Sequence, residues 1–505
     1  MRKVIPASIT FTVMLVLSCL SAHGQPASQS EIFSLGTPGD AVGKRNIILF
    51  IGDGMSYQNE IALSRYLYGT DNGLAWSDFP YEGYVTTWDI DSYNRYASRA
   101  GAGLYTSDSF SPVYGYDPSR GGDKPFGLGV IPDDDYFFTA LPSPGGGSDT
   151  YSYPSTDSAA AATAIATGQK TDEGNVSWAA GDTPDGELKT IAELYRESLG
   201  GAIGVVTTVE FSHATPSPFV SHNTYRGNPG QVAHEIITVT KPDVVIGAGH
   251  PDRESGYISR SDYNTIKNSD EYIFVERAAG IDGGESLLDA AQQAVNAGKK
   301  LFGLYGGSGG CFDRYAPHDS PGSPGFDRNP ENPTLADTVE AALIVLSQDP
   351  DGFFVMFEQG DIDWANHHKN YIGMIGAMYD LEMAVREAVD FVNRPGDDVD
   401  WSNTLLLITA DHVTGSLRMS DDVIIGIGDL PTMTGTSNHY TFPDGEARYI
   451  TTVHTNEPVM LYAMGPQAEI DSIFTTYEGS WYPGTLLIDN TQIFKIMADF
   501  AGIEY

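Results

Sequence analysis

Cysteine is nearly missing from this chain, with two residues in 505, Cys19 and Cys311. If the first leaves with an export signal, the remaining thiol has no intramolecular partner, so stability in an oxidising compartment rests on packing and metals rather than disulfides. Positive charge is scarce too: 28 Lys and Arg face 67 Asp and Glu, a net charge of −39. Such a surface repels nucleic acid and anionic membranes as stable partners, and an anionic substrate would need positive charge concentrated locally by metals or arginine. No apolar run is long enough for a membrane span, and no internal repeat is visible. Against these absences stands 41% hydrophobic content over a length that can bury a large core.

The amino end reads as an export signal. Arg2 and Lys3 precede the apolar run Ile9 to Leu20, and the small residues Ala22 and Gly24 precede Gln25. The expected organisation is a signal peptide over 1–24 and one domain over 25–505, with a periplasmic or secreted destination. Val16-Leu17-Ser18-Cys19 is an imperfect lipobox, which leaves a lipid anchor on Cys19 as the alternative.

Beyond the signal the chain alternates between strand and helix patterns. Asn46 to Ile51 is a continuous apolar run closed by Gly52-Asp53-Gly54, the signature of a buried parallel strand and a tight turn. Strands are expected over 202–207, 243–247, 301–305, 352–357 and 404–409. Helices are expected over 186–199, 230–237, 286–297, 334–347 and, as one long element, 363–392. Strands separated by helices predict an α/β fold, a central mostly parallel sheet with helices on both faces, whose ligands bind beyond the carboxyl ends of the strands. Irregular insertions are expected near 91–153, 306–333 and 416–448. The first reads either as a lid or clasp onto a second subunit or as a variable surface loop.

The chain is organised around Ser155-Thr156-Asp157-Ser158, which opens the alanine-rich stretch 159–166. Alanines fix a rigid helix, with Asp157 or Ser158 as its cap. A helix amino terminus presents free N–H groups and partial positive charge, so Ser158 sits where an oxyanion is stabilised. Acidic residues end three of the predicted strands: Asp53, Glu358 and Asp411, the last beside His412. Asp363 and His367 are four apart and share one helical face, able to hold a single metal that His454 would complete. Asp53, Asp411 and His412 make a second set one ligand short, which Ser158 can supply as an alkoxide. A strand-end Asp is often a turn cap and a lone His is often structural; the convergence on one rim is what argues for a site.

Taken together, Ile51-Gly52-Asp53-Gly54-Met55, Asp157-Ser158-Ala159, His213-Ala214-Thr215-Pro216 with Arg226 downstream, Glu358 through Asp363 to His367, Asp411-His412 and His454 resemble the alkaline phosphatase family in order and spacing. The resemblance runs from about residue 45 to the end. It implies hydrolysis of small phosphate monoesters at alkaline pH through a phosphoserine on Ser158, two Zn2+ ions, one Mg2+ ion, and a homodimer. By resemblance, Asp363, His367 and His454 would hold the first zinc, and Asp53, Asp411 and His412 the second. Asp53, Thr215 and Glu358 would hold the magnesium, and Arg226, oriented by Asp157, would clamp the phosphate. His213 and Trp364 depart from many bacterial members, which carry Asp and Lys there. The pair resembles the marine and cold-adapted subgroup, and it implies a changed magnesium site and weaker phosphate retention.

Two other readings are open. A sulfatase would need a Cys or Ser in a Cys/Ser-x-Pro-x-Arg context, which Asp157 to Ala161 is not, and a diesterase commonly uses Thr and lacks a clamp like Arg226. A non-catalytic metal-storing protein would need neither Ser158 nor Arg226.

Overall fold

Eight residues, Arg45–Gly52 (β1), form the middle of the molecule because nothing in Ile47 to Ile51 can face water: all five are 0% exposed. The computed structural model describes residues 43–99, 101–106, 141–142, 151–152, 155–307, 311–396, 398–436, 440–479 and 487–505. The export signal and lipobox expected over 1–24, and most of the 91–153 insertion, lie outside these residues. Among them, no helix is long and apolar enough to cross a membrane.

The other strands of the main sheet are Tyr81–Thr86 (β2), Ala202–Glu210 (β3), Val244–Ala248 (β4), Tyr272–Glu276 (β5), Lys300–Leu304 (β6), Gly352–Gln359 (β7), Thr404–Thr409 (β8), Val459–Met464 (β9) and Leu487–Asp489 (β10). They lie in the order β10-β2-β9-β8-β1-β7-β3-β4-β6-β5. β1 pairs in parallel with β7 through Ile48↔Val355 and with β8 through Ile48↔Leu406. Only β9 runs against its neighbours β8 and β2. The sheet is therefore mostly parallel, as expected, and its central strands read as unbroken apolar runs because both faces are covered.

The principal helices are Tyr57–Tyr68 (α1), Ile90–Arg99 (α2), Ser158–Thr167 (α3), Ile191–Leu199 (α4), Arg260–Lys267 (α5), Gly283–Ala297 (α6), Leu335–Leu346 (α7), Asp361–His367 (α8), Tyr371–Val392 (α9), Gln467–Tyr477 (α10) and Asn490–Ala501 (α11). α7 packs between α6 and α9, while α3 and α4 pack with α11. Their starts are written in the sequence. Ser56 with Asn59, Thr190 with Glu193, and Thr334 with Asp337 each form a reciprocal capping box at the head of α1, α4 and α7.

Several expectations need correction. The helix expected from residue 186 begins at Ile191, because Thr190 is the residue whose hydroxyl accepts the Glu193 amide. The single helix expected over 363–392 is two, broken where Lys369 takes a left-handed φ of 52° and Asn370 caps α9. The 91–153 insertion is not irregular from its start, since α2 occupies 90–99 and buries Tyr93 and Ala97 against Trp88. β2, β5, β9, β10 and α5 fall where the sequence reading placed no element.

The other two insertions are structured and meet each other. In 306–333 the short strands Ala316–Pro317 and Phe326–Asp327 pair, and Phe326 stacks on Tyr379 of α9 with ring centroids 3.7 Å apart. In 416–448 the strand Leu417–Met419 pairs with Ala447–Tyr449. The Ser320 amide donates to the Gly428 carbonyl at 2.9 Å. A Cβ on Gly428 would lie 2.2 Å from the Ser320 carbonyl oxygen, so only glycine allows this approach.

Candidate metal centre and nucleophile

The carboxyl ends of β1, β7 and β8 carry Asp53, Glu358 and Asp411 onto one rim, where open parallel sheets place their ligands. Gly54 is required there. Its φ is +70° and a Cβ would meet the Asp363 Cα at 2.8 Å, so the turn after β1 can touch the start of α8 only with glycine.

Three groupings of donor atoms result. In the first, His367 Nε2 lies 3.3 Å from Asp363 Oδ1, His454 Nε2 lies 3.5 Å from the same oxygen, and the two Nε2 atoms are 3.2 Å apart. His367 Nδ1 faces the Thr452 carbonyl at 2.6 Å, and His454 Nδ1 faces the Thr156 carbonyl at 2.9 Å. A carbonyl only accepts, so each Nδ1 carries the proton and, in the neutral rings, the two Nε2 lone pairs point at each other. A cation between them relieves that repulsion. Four ligands at about 2.0–2.1 Å around zinc are separated by about 3.3–3.4 Å, which is the spacing found.

In the second grouping His412 Nε2 lies 3.5 Å from Asp53 Oδ1, 3.3 Å from Asp411 Oδ2 and 3.1 Å from Ser158 Oγ. Asp53 Oδ1 and Asp411 Oδ2 are buried without a hydrogen bond, a costly state unless a cation is present. Burial, then Asp411 and Asp363, push the Asp53 carboxyl well above its ordinary value, while burial and then His454 push His412 well down. Thr414 joins the two groupings: its hydroxyl donates to Asp363 Oδ1 at 2.5 Å and lies 3.3 Å from His412 Nδ1.

The third grouping is Asp53, Thr215 and Glu358. Thr215 Oγ1 donates to Asp53 Oδ2 at 3.3 Å, Thr207 Oγ1 donates to Glu358 Oε2 at 2.5 Å, and Glu358 Oε1 is buried with no partner. Burial chiefly pushes the Glu358 carboxyl up to about 8.

Ser158 opens α3, and Asp157 is its cap. The Asp157 carboxylate accepts from the amides of Ala160 at 3.0 Å, Ala159 at 3.4 Å and Gly174 at 3.0 Å, and from Arg226 Nη1 at 2.8 Å. Burial alone would raise its pKa; the Arg226 guanidinium outweighs that and holds it below the ordinary value. His213 is pushed down to about 3 by burial and then by Arg226, so it is neutral, and its Nδ1 has no hydrogen bond. Trp364 meets the His213 ring edge-on at 6.0 Å. A cleft of 770 Å³ opens beside this group, lined in part by Asp157, His213, Arg226, Tyr225 and Tyr257 and by Arg95 of α2.

Every residue singled out from the sequence therefore sits on this rim. Sequence reasoning missed Thr207 and Thr414, whose hydroxyls bond the carboxylates, and Arg95, hidden in a stretch read as irregular. The remaining described histidines lie elsewhere: His222, His234, His250 and His318 face Glu235, Asp262, Glu276 and Asp327. His368 follows α8 as its carboxyl cap, and His439 is outside the described residues.

The sequence model of the family described as Alkaline phosphatase matches residues 140–265 and 296–431. Alkaline phosphatase 3 of Bacillus subtilis is 33% identical over 276 residues, 53% of this chain and 51% of that protein. The chain thus spans about half the length of that relative. Streptomycin-6-phosphate phosphatase of Streptomyces griseus is 26% identical over 84% of this chain and 86% of its own length. Among solved structures, the alkaline phosphatase of the Antarctic bacterium TAB5 superposes with a TM-score of 0.54 at 18% identity, covering 92% of this chain and 99% of that one. A TAB5 variant with histidine replaced by aspartate, described with magnesium in its M3 site, gives 0.56 at 18% identity over the same shares.

Proposed function

Because the chain belongs to the alkaline phosphatase family, we propose that it hydrolyses phosphate monoesters at alkaline pH by covalent catalysis on Ser158, with two zinc ions and one magnesium ion. The observation that carries this reading is the position of Ser158 Oγ, 3.1 Å from His412 Nε2, an atom that also faces the Asp53 and Asp411 carboxylates. The donor sets suit the ions: mixed imidazole and carboxylate at tetrahedral spacing for zinc, and oxygen alone for magnesium. Asp363, His367 and His454 would hold one zinc; Asp53, Asp411 and His412 the other; Asp53, Thr215 and Glu358 the magnesium. When bound, the zinc pair would supply Lewis-acid stabilisation of the attacking and leaving oxygens and favour the Ser158 alkoxide.

The chain's own residues do the rest. Ser158 Oγ attacks phosphorus, the bond to the leaving alcohol breaks in line, and a phosphoserine forms; water then attacks phosphorus, frees Ser158 and releases inorganic phosphate. Arg226, held by Asp157, presents its planar fork to the non-bridging oxygens. The amino end of α3 adds partial positive charge beside them. The neutral His213 and Trp364 contribute no charge to the phosphate, which favours product release over phosphate retention. The reading includes export through residues 1–24 and a homodimer.

The test is hydrolysis of p-nitrophenyl phosphate against bis-p-nitrophenyl phosphate at alkaline pH, before and after chelation and metal restoration, with Ser158→Ala alongside. A monoester preference that is lost on chelation, returns with metals and falls at least 10³-fold (an order-of-magnitude expectation for losing a nucleophile) in Ser158→Ala supports the reading. A diester preference moves the chain to the phosphodiesterase branch. No cleavage of either ester by metal-loaded protein rejects catalysis.

A further inference from the structure

A second cation lines the cleft beside Arg226. Among the residues lining that cleft, only Arg95 and Arg226 carry positive charge. Arg226 is bonded to Asp157 at 2.8 Å. Arg95 makes no such bond: its Nη2 lies 3.8 Å from Glu173 Oε2, beyond hydrogen-bond reach, and about half of each side chain is exposed. An exposed ion pair that loose contributes little, so an incoming anion can displace Glu173 from Arg95 at small cost.

The surrounding structure fixes where Arg95 stands. Asp89 caps α2, accepting the Ser92 amide at 2.6 Å while Ser92 Oγ accepts the Asp89 amide at 3.0 Å. The buried Lys170 donates to the Trp88 carbonyl at 2.7 Å and pairs with Asp489 at 3.1 Å, which ties the root of α2 to the head of α11. Asp91 Oδ2 accepts the Glu173 amide at 2.9 Å. The next amide, that of Gly174, donates to Asp157 at 3.0 Å, and the Gly174 carbonyl accepts the Arg226 amide at 2.7 Å. Helix α2 and the Asp157–Arg226 pair are thus joined through two consecutive residues. Arg95 follows Asp91 by four positions, so it shares that face of α2 about 6 Å farther along the axis. Tyr225, 59% exposed, and Tyr257 also line the cleft, and their rings can cover an apolar linker.

We infer that Arg95 is a specificity-determining residue that binds a second anionic group, carboxylate or phosphate, on a monoester whose scissile phosphate lies on Arg226. The inference rests on Arg226 as the phosphate clamp and adds a substrate class: esters of alcohols that are themselves anionic, such as bisphosphates and phosphorylated acids. A guanidinium fork matches either anion in bidentate fashion. Glu173 competes with the second anion for Arg95. Esters of neutral alcohols leave that pair in place and gain nothing from it.

The experiment measures binding rather than turnover, by calorimetry on the full chain loaded with zinc and magnesium. The probes are alkylphosphonates of increasing length, the same chains ending in a carboxylate, and the same chains ending in a second phosphonate. The parent should bind the best doubly anionic chain about three- to tenfold more tightly than the alkylphosphonate of equal length. Arg95→Ala should erase that preference and leave alkylphosphonate binding at the parent's value, Arg95→Lys should keep part of it, and Glu173→Gln should increase it. Arg226→Ala should weaken every series, as expected if one phosphonate sits on the clamp. The ratio between the carboxylate and phosphonate series identifies the anion preferred. Equal losses for singly and doubly anionic chains in Arg95→Ala would make Arg95 structural and overturn the inference. So would a parent with no preference at any length, a preference that persists without Arg95, or binding indifferent to Arg226→Ala. No ester bond is broken in these measurements, so absent hydrolysis in the Ser158 assay would reject catalysis without deciding this preference.

Discussion

His222 offers a test of how far charge pairing holds this fold together at the alkaline pH where its chemistry is proposed to run. Its imidazole is 8% exposed and sits between Glu235 Oε1, 2.8 Å from Nδ1, and Glu193 Oε2, 3.5 Å from Nε2. Burial lowers its pKa, but the two carboxylates outweigh burial and raise it to about 10. In the unfolded chain the value is about 6.5. Below that value both states hold the proton and the stabilisation is fully present. Between about 6.5 and about 10 the folded protein keeps a proton that the unfolded chain has lost, so stability falls as pH rises, by about 1.4 kcal/mol per unit. The ceiling is about 5 kcal/mol. Glu193 and Glu235 are 22% and 23% exposed, and solvent screening reduces the expected effect to about 2 kcal/mol. Urea unfolding of the parent and of His222→Gln, at fixed zinc and magnesium, is compared at pH 7 and pH 10.5. The parent should lose about 2 kcal/mol more than the variant across that interval. Equal losses would refute the reasoning and make the triad electrostatically idle.

Other consequences are local to the rim. Asp157→Ala removes the α3 cap and the partner of Arg226, so it should destabilise the fold by about 1–3 kcal/mol and raise KM; Asp157→Asn, which keeps a capping oxygen, should recover most of the stability in thermal unfolding but not the KM. Trp364→Lys places a cation beside the phosphate and should lower the phosphate inhibition constant about tenfold; a constant no lower than the parent's counts against Trp364 as a determinant of product release. His213→Asp exchanges a neutral ring for a carboxylate and should increase the magnesium retained after dialysis, read by elemental analysis; unchanged retention would show that His213 does not govern that site.

Much of this protein was legible in the chain itself. The apolar runs of β1, β7 and β8 can exist only where both faces are covered, so a buried parallel sheet follows from composition along each strand. Asp157 before an alanine stretch specifies a capped helix, and four-residue spacing puts Asp363 and His367 on one face of α8. These are local properties of periodicity, capping and strand ends, and the acidic strand ends together with the family's motif order were enough to name the rim residues. Short strands such as Leu487–Asp489 carry too few residues to show a period, and Tyr81–Thr86 places a glutamate and a glycine within six residues, so both were invisible. The break at Lys369 hid inside an otherwise continuous helical pattern.

What only the tertiary structure decided is how groups far apart in sequence come within bonding distance. His454 reaches Asp363 because the pairing of Thr414 with His454 fixes where its ring falls, and the Thr156 carbonyl sets its tautomer. Thr207 and Thr414 became partners of Glu358 and Asp363 through sheet register and loop closure, and no spacing encodes a hydroxyl's choice of acceptor. The sequence alone determined which residues have the right chemistry and which strand or helix carries them; the packing of those elements determined distance and dielectric, which decide whether two carboxylates are a solvated surface or a place for a cation.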